Sequence, residues 1–298
     1  TDAPPQLPFC SSSSLVTRHS SLKSMPLILP FPDDLQLSHQ LVTTHGGEIG
    51  TIEWHRFPDQ ESLITIKGDC AGRDVVIVCT LNDADTKTLP LYFAATTPRE
   101  LGARRIGLIA PYLAYMRQDH RFCPGQSRSA YGYAELLSAT FDWVATVDPH
   151  LHRIGTLEAI YSTPALAISA MPNVSEWIRT HIDDPVIIGP DQESSQWVQP
   201  VAASLNAPYV VLEKVRHGDR HVEVSALDAS IVRDRQPVII DDIASSGHTM
   251  LEVLKRLAPI GARPATCIAV HALLSRPAEE ALRGAGAQRI VSTNTIPH

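Results

Sequence analysis

Two adjacent acids, followed by a loop of small residues, stand out for the chemistry that they could perform together. An apolar, β-branched run at residues 238–240 leads into Asp241 and Asp242, and a loop at residues 245–249 precedes a helical pattern. Loops at the carboxyl ends of strands are where open α/β sheets bind ligands. Backbone N–H groups of such a loop and the N-terminus of the next helix suit a phosphate. The carboxylates would then lie where ribose hydroxyls or a divalent cation can be held. The alternative, a βα turn with a capping serine, leaves two neighbouring acids without partners, which is costly.

Further polar clusters follow other strand-like stretches. The segment containing Phe57, Asp59 and Glu61 follows a short one, and read alone it is equally consistent with a polar turn. Arg117 and Arg121 come after the apolar run at residues 105–110. Their forked guanidinium groups suit phosphates, although a solvated loop is the simpler reading.

Three more clusters complete the pattern. His150 and His152 follow a strand with an acid nearby and could ligate a metal, although such pairs are more often structural. Asp191 comes directly after another apolar strand. Lys214 and Arg216 share one face of an extended chain and could close over a phosphate chain, or form an exposed basic hairpin. Together the clusters place acids, cations and phosphate loops after several strands, as an active site at one edge of two sheets requires.

Composition narrows the class of protein. The chain has 298 residues, enough for about two domains, and its 44% apolar and 19% charged content is typical of a globular enzyme. A net charge of −7 argues against a nucleic-acid-binding surface. The five cysteines form no CxxC pair, which predicts neither a disulfide framework nor a zinc site and fits a reducing cytoplasm. No stretch approaches the roughly 20 apolar residues of a membrane helix.

Strand-like and helix-like segments alternate after the first residues. Residues 1–24 are rich in Pro and Ser, and we expect a disordered extension ahead of a start at Met25. Predicted strands cover residues 75–81, 105–110, 143–147, 185–189, 209–213, 238–241 and 266–272. Predicted helices cover residues 86–101, 130–141, 162–171, 175–181, 194–205, 249–257 and 278–284. The alternation predicts an α/β fold with parallel sheets covered on both faces, divided into domains at residues 25–165 and 166–298.

The order of these clusters resembles the ribose-phosphate diphosphokinase family, also called phosphoribosyl pyrophosphate (PRPP) synthetases. The motifs are, in chain order, Phe57-x-Asp59-x-Glu61, Arg117-Gln118-Asp119, Asp148-x-His150, Asp191, Lys214-x-Arg216 and the Asp241-Asp242 loop. The resemblance runs from about Met25 to the end of the chain. Phrases such as Asp148-Pro-His-Leu-His152 are most similar to the shorter archaeal-like branch.

This resemblance implies two domains of phosphoribosyltransferase type, each a mainly parallel sheet flanked by helices. It implies a Mg²⁺-dependent transferase that moves the diphosphoryl group of ATP to the 1-hydroxyl of ribose 5-phosphate, giving PRPP and AMP for nucleotide biosynthesis. A cytoplasmic homo-oligomer, a dimer or a multiple of dimers, is implied as well, with no nucleic acid or membrane partner.

The resemblance also implies roles for single residues. Lys214 and Arg216 would be catalytic, on a flexible loop. The remaining roles would be ATP binding by Phe57, Asp59, Glu61, Arg117 and Gln118, metal binding by His150 and Asp191, and ribose 5-phosphate binding by Asp241, Asp242, Ser245, Ser246, Gly247, His248 and Thr249.

Several residues depart from the family pattern. Gln60 stands where the family often has Gly, Val215 replaces a commonly basic residue, and His248 replaces a small residue of the phosphate loop. The turn after Asp191 is less Gly-rich than usual, and family members continue for roughly another strand and helix beyond residue 298. These departures leave open a non-catalytic regulatory paralogue. A PRPP-consuming phosphoribosyltransferase is the other alternative, but it would give the Phe57 and Lys214 clusters no role.

Overall fold

The computed structural model describes residues 25–212, 214–217, 221–224 and 229–297, with residues 214–217 and 221–224 described by their backbone alone. The strands are β1 (Leu27–Pro30), β2 (Glu48–Ile49), β3 (Thr51–Arg56), β4 (Ser62–Lys67), β5 (Asp74–Val78), β6 (Arg105–Ala110), β7 (Trp143–Val147), β8 (Ala165–Ile168), β9 (Pro185–Gly189), β10 (Tyr209–Val211), β11 (Lys214–His217), β12 (His221–Val224), β13 (Gln236–Ala244), β14 (Ala265–Ala272) and β15 (Ala287–Ser292). The helices are α1 (Leu35–His45), α2 (Ala84–Glu100), α3 (Ser129–Thr140), α4 (Met171–His181), α5 (Ser195–Leu205), α6 (Ala229–Val232), α7 (His248–Leu257) and α8 (Arg276–Gly284).

The described chain divides into two compact units. The first comprises the described chain up to Cys79, Asp85–Ile109 and Ala139–Trp143. The second comprises Thr80–Ala84, Ala110–Ser138 and the described chain from Val144 onward. The predicted domains, residues 25–165 and 166–298, stay a prediction.

The first unit is built on parallel strands in the order β2-β1-β5-β6. The strand β5 reads Asp-Val-Val-Ile-Val and is buried over its four apolar residues, as expected for a strand of a parallel sheet with both faces covered. Leu37 and Leu41 of α1 pack against Ile28 and Val76 of this sheet. A separate antiparallel hairpin, β3-β4, carries the Phe57 cluster in its turn.

The second unit contains a five-stranded parallel sheet in the order β10-β9-β13-β14-β15. Its strand β13 is central, and Val238, Ile239 and Ile240 are completely buried. Ile239 belongs to the core cluster that includes Met250 of α7, whereas Val238 and Ile240 belong to the cluster that includes Trp197 of α5. The two faces of β13 are therefore covered by different helices, which confirms the predicted α/β architecture of parallel sheets flanked by helices.

The predicted helix over residues 162–171 is wrong. Ala165–Ile168 form β8, a short strand parallel to β7, and α4 begins only at Met171. The run Ala-Leu-Ala-Ile is too short for its period to separate a helix from a strand. Leu166 and Ile168 remain 58% and 51% exposed, because β8 is the last strand of its sheet. The other predicted helices and strands are confirmed, with ends shifted by a few residues.

Membrane helices and cysteines were both considered from the composition, and the structure gives information on both. Among the described residues, no helix combines the length and the apolar character needed to cross a membrane. Four cysteines of the described chain are free thiols, namely Cys70, Cys79, Cys123 and Cys267.

Candidate active site

The loop between β13 and α7 has the backbone that an anion site requires. Asp241 and Asp242 still belong to β13, and α7 begins at His248. Gly247, directly before the helix, has a φ of +68°, and a Cβ there would lie 3.3 Å from the side chain of Leu282. Only glycine adopts this conformation readily. The N–H groups at the N-terminus of α7 make this a favourable place for a phosphate.

The pKa values of the two carboxyl groups are shifted in opposite directions. Burial raises the pKa of Asp242, but a 2.7 Å hydrogen bond from Nδ1 of His150 and the charge of that ring outweigh it, so the pKa lies below its ordinary value. The pKa of Asp241 is raised well above its ordinary value by burial, by the charge of Asp242 and by that of Asp191. Asp242 is therefore the ionised member, and Asp241 lies where negative charge is in excess.

A chain of polar contacts continues from His150 toward the surface. Its Nε2 lies 3.6 Å from Oε2 of Glu193, and the other oxygen of Glu193 lies 3.1 Å from Nε2 of His152. Burial would lower the pKa of His150, but the hydrogen bond to Asp242 and the nearby acids raise it above its ordinary value. The imidazole is thus held between two carboxylates.

The acids at this end of the sheet suit a hard cation held jointly with a phosphate. Among the described residues, no group of three or more His, Cys, Asp or Glu side chains is arranged to hold a metal ion. Mg²⁺, however, usually takes one or two carboxylates and completes its shell with water and substrate phosphates. Asp241 offers such an oxygen ligand, and a cation would relieve the excess negative charge around it. The donor set therefore fits Mg²⁺. The predicted metal ligands His150 and Asp191 stay a prediction.

Arg117 lies beside the phosphate loop. Its Nη1 donates to Oγ of Ser245 over 3.4 Å, and both Arg117 and Gln118 are exposed. The segment is anchored by the neighbouring Asp119, which is buried and accepts two contacts from Nη1 of Arg153, at 3.0 and 3.2 Å. The anchored backbone leaves the side chains of Arg117 and Gln118 accessible to a ligand.

The Phe57 cluster lies in the first unit, at the turn of the β3-β4 hairpin. The N–H of Phe57 donates to the carbonyl of Glu61, and the N–H of Glu61 donates to Oδ1 of Asp59 at 3.1 Å. Phe57 is 40% exposed and packs edge-on against His55. Gln60 has a φ of +76°, so this departure from the family's frequent glycine occupies a conformation that glycine prefers.

The remaining site residues divide into two groups. Ser246 accepts from the N–H of His248 at 3.4 Å, His248 is exposed, and Thr249 is half-buried in the first turn of α7. Lys214 and Arg216 lie on β11, which pairs with β12 as an antiparallel hairpin, as predicted. The side chains of these two cations lie outside the described residues, so their roles stay a prediction.

Two residues that contact this region were not identified from the sequence. Glu193 was noted only as part of an unusual turn after Asp191, although it contacts both histidines. His271 lies in the apolar run of β14, where nothing in the pattern distinguishes it from a core residue, yet its Nε2 is 3.0 Å from the carbonyl oxygen of Val147.

Two family models match the chain. The N-terminal domain of ribose phosphate pyrophosphokinase matches residues 27–140, and the phosphoribosyl transferase domain matches residues 156–297.

Curated relatives match most of the chain. The ribose-phosphate pyrophosphokinase of Methanopyrus kandleri is 32% identical over 91% of this chain and 93% of its own. The enzyme of the same name from Saccharolobus solfataricus is 33% identical over 82% and 84%, and that of Halobacterium salinarum is 32% identical over 91% and 94%.

A solved structure has the same fold. Phosphoribosylpyrophosphate synthetase from Mycobacterium smegmatis superposes with a TM-score of 0.80 over 92% of this chain and 90% of its own, at 21% identity. This likeness supports the predicted pair of phosphoribosyltransferase-type folds. With archaeal relatives above 30% identity over nearly its whole length, the chain belongs to the ribose-phosphate pyrophosphokinase family.

Proposed function

We propose that the protein transfers the diphosphoryl group of ATP to the 1-hydroxyl of ribose 5-phosphate, giving PRPP and AMP for nucleotide biosynthesis. The observation that carries the proposal is the pair of Asp241, half-buried, and Asp242, buried, just before the loop that ends at Gly247. The relatives that match most of this chain are named ribose-phosphate pyrophosphokinases. A carboxylate pair next to a phosphate-binding loop is what recognition of a sugar phosphate demands.

The sugar phosphate is bound at the carboxyl end of β13. The N–H groups of residues 245–249 hold the 5-phosphate, and Asp241 and Asp242 accept from the ribose hydroxyls or share a cation with them. His150 keeps Asp242 ionised through their 2.7 Å hydrogen bond. A carboxylate that stays charged accepts stronger hydrogen bonds from hydroxyl groups, so the pair orients the sugar and its 1-hydroxyl.

The transfer is a displacement at the β-phosphorus of ATP. The oxygen of the 1-hydroxyl forms a bond to that phosphorus and gives up its proton to water, while the bond from the phosphorus to the bridging α–β oxygen breaks and AMP leaves. Mg²⁺, which Asp241 would help to hold, would supply positive charge to the phosphate oxygens of ATP and so favour attack at the phosphorus. Arg117 and Gln118 bind ATP. Phe57, Asp59 and Glu61, supplied partly by a neighbouring subunit, help to hold its adenine. Lys214 and Arg216 neutralise the charge that develops on the transferred group and on AMP.

The setting of the enzyme belongs to the same proposal. We place it in the cytoplasm as a homo-oligomer, a dimer or a multiple of dimers, with ATP and ribose 5-phosphate as its ligands. Its net charge of −7 supports small-molecule ligands over nucleic acid.

The test is AMP formation from ATP and Mg²⁺ with and without ribose 5-phosphate. We expect AMP and PRPP in equal amounts only when the sugar is present, and loss of both after chelation of Mg²⁺. Asp242→Asn should abolish product formation. Asp183→Asn makes the same chemical change on an exposed aspartate and should have no effect. A folded protein that binds ATP but never forms AMP would refute the proposal and favour a regulatory paralogue.

A further inference from the structure

A buried histidine of β14 has a hydrogen-bond partner on each ring nitrogen. His271 is 1% exposed, with Nδ1 2.8 Å from Oγ1 of Thr295 and Nε2 3.0 Å from the carbonyl oxygen of Val147. Nε2 also lies 3.3 Å from the carbonyl oxygen of Asp148. A carbonyl oxygen only accepts, so Nε2 carries the hydrogen. Burial lowers the pKa of His271, which favours the neutral ring with its hydrogen on Nε2.

The carbonyls that His271 holds belong to an unusual turn. Asp148 has a φ of +32°, a region that residues other than glycine seldom occupy. Its N–H donates to the carbonyl of Ile168 over 2.9 Å, and its Oδ2 accepts from the N–H of Ala170 over 2.7 Å. Together with His271, these contacts fix the N–H, the side chain and the carbonyl of this one residue.

The turn determines where His150 points. His150 follows Asp148 by two residues, and its Nδ1 meets the Asp242 carboxylate at 2.7 Å. Rotation of the Asp148 backbone would displace the imidazole, and misplacement by about 1 Å can cost roughly 100-fold in rate.

We propose that His271 is a positioning residue for the reaction. Its Nε2–H holds the Val147 and Asp148 carbonyls, which fixes the turn and aims His150 at Asp242. This inference rests on the proposed function. A histidine that merely filled the core would not need a donor toward the end of β7, a strand that does not belong to the sheet of β14. All eight residues of β14 are buried, and the residues on either side of His271, Val270 and Ala272, are apolar.

Two substitutions separate the halves of the imidazole. His271→Gln places an amide N–H where Nε2 lies and can still donate to the Val147 carbonyl. His271→Asn reaches only as far as Nδ1 and can still contact Thr295. We expect the Gln variant to keep kcat within about threefold of the parent, and the Asn variant to lose at least about tenfold in kcat with a smaller change in KM.

A merely structural role predicts a different result. Both variants remove the ring, so their thermal midpoints should fall together, and activity would then follow stability. Equal kcat values for the two variants, or losses in kcat that follow the midpoints, would overturn the proposal.

Asp148→Asn and Asp148→Ala probe the turn from its other side. Asn keeps an acceptor for the N–H of Ala170 and tolerates positive φ, so it should retain far more kcat than Ala does.

Hydrogen exchange without substrates separates this inference from the proposed function. The amides of Asp148 and Ala170 should exchange at least about tenfold faster in the Asn variant of His271 and at the parental rate in the Gln variant. If the parent protein forms no AMP, the proposed function fails, yet the exchange rates still decide whether His271 holds the turn. Unchanged exchange in both variants would show that it does not.

Discussion

The hydrogen bond between His150 and Asp242 should make a large, measurable contribution to stability. Its atoms are 2.7 Å apart, and the two side chains are only 13% and 7% exposed, so water screens the interaction little. A hydrogen bond to a charged group contributes about 1.5–3 kcal/mol, and we expect a coupling free energy within that range.

The measurement is a double-mutant cycle on the ligand-free protein. His150→Phe keeps a ring without donors, and Asp242→Leu keeps a similar volume without acceptors. The loss of the acceptor for the N–H of Ile243 occurs in the single and the double variant alike and cancels in the cycle. Urea unfolding of the four chains at one pH gives the free energies, provided that all four share one m-value.

The pair of His152 and Glu193 provides the matched control. Their atoms are 3.1 Å apart, but both side chains are 34% exposed, and exposed ion pairs contribute at most about 1 kcal/mol. The corresponding cycle with His152→Phe and Glu193→Leu should therefore give a clearly smaller coupling. A His150–Asp242 coupling below about 0.5 kcal/mol, or no larger than this control, would refute the view that the buried contact holds Asp242 ionised.

Further substitutions test other parts of the molecule. Lys214→Ala should remove most turnover while ATP affinity, measured by calorimetry, stays nearly unchanged, because its charge acts mainly in the transition state; equal losses in both would contradict that role. His248→Gly should leave AMP formation similar or higher, since the side chain is exposed at the start of α7; a large loss would show that it binds the phosphate. Gln60→Gly should raise the free energy of unfolding by about 0.5–1 kcal/mol, because the φ of +76° no longer strains a side chain, and an unchanged urea midpoint would argue against strain. Burial lowers the pKa of His271, so as the pH falls the unfolded chain takes up a proton on this ring before the folded protein does. The stability that the neutral ring contributes is therefore complete above about pH 6.5 and declines as the pH falls. His271→Gln should flatten this part of the stability curve.

The positions of the predicted site residues followed from local patterns. The apolar run before Asp241 predicted a buried strand, and the small residues up to Gly247 predicted a turn into a helix. Both inferences need only the chain within a few residues of the site. The helix predicted at residues 162–171 was wrong because it also rested on nearby residues alone. The apolar run there is only four residues long, which is too short to show the period of a helix or of a strand.

Contacts between distant segments lay beyond the reach of the sequence. The partner of His150 is Asp242 of β13, far along the chain, and no spacing rule predicts that this ring and this carboxylate meet. The role of His271 could not be predicted from the sequence because its neighbours are apolar on both sides. The raised pKa of Asp241 depends on Asp191 from yet another strand, so the difference between the two adjacent acids could only come from three-dimensional structure.

The central place of β13 in its sheet has a consequence for how the protein is made. Its neighbour β9 is synthesised well before it, and β14 well after it. Until β13 emerges from the ribosome, the edge of β9 that will receive it has unpaired N–H and C=O groups, which are a template for pairing with other chains. Contacts this distant in sequence also form slowly. The strand that carries the site thus also closes an open edge of the growing sheet, and destabilising it should reduce the yield of folded protein before any effect on activity is measured.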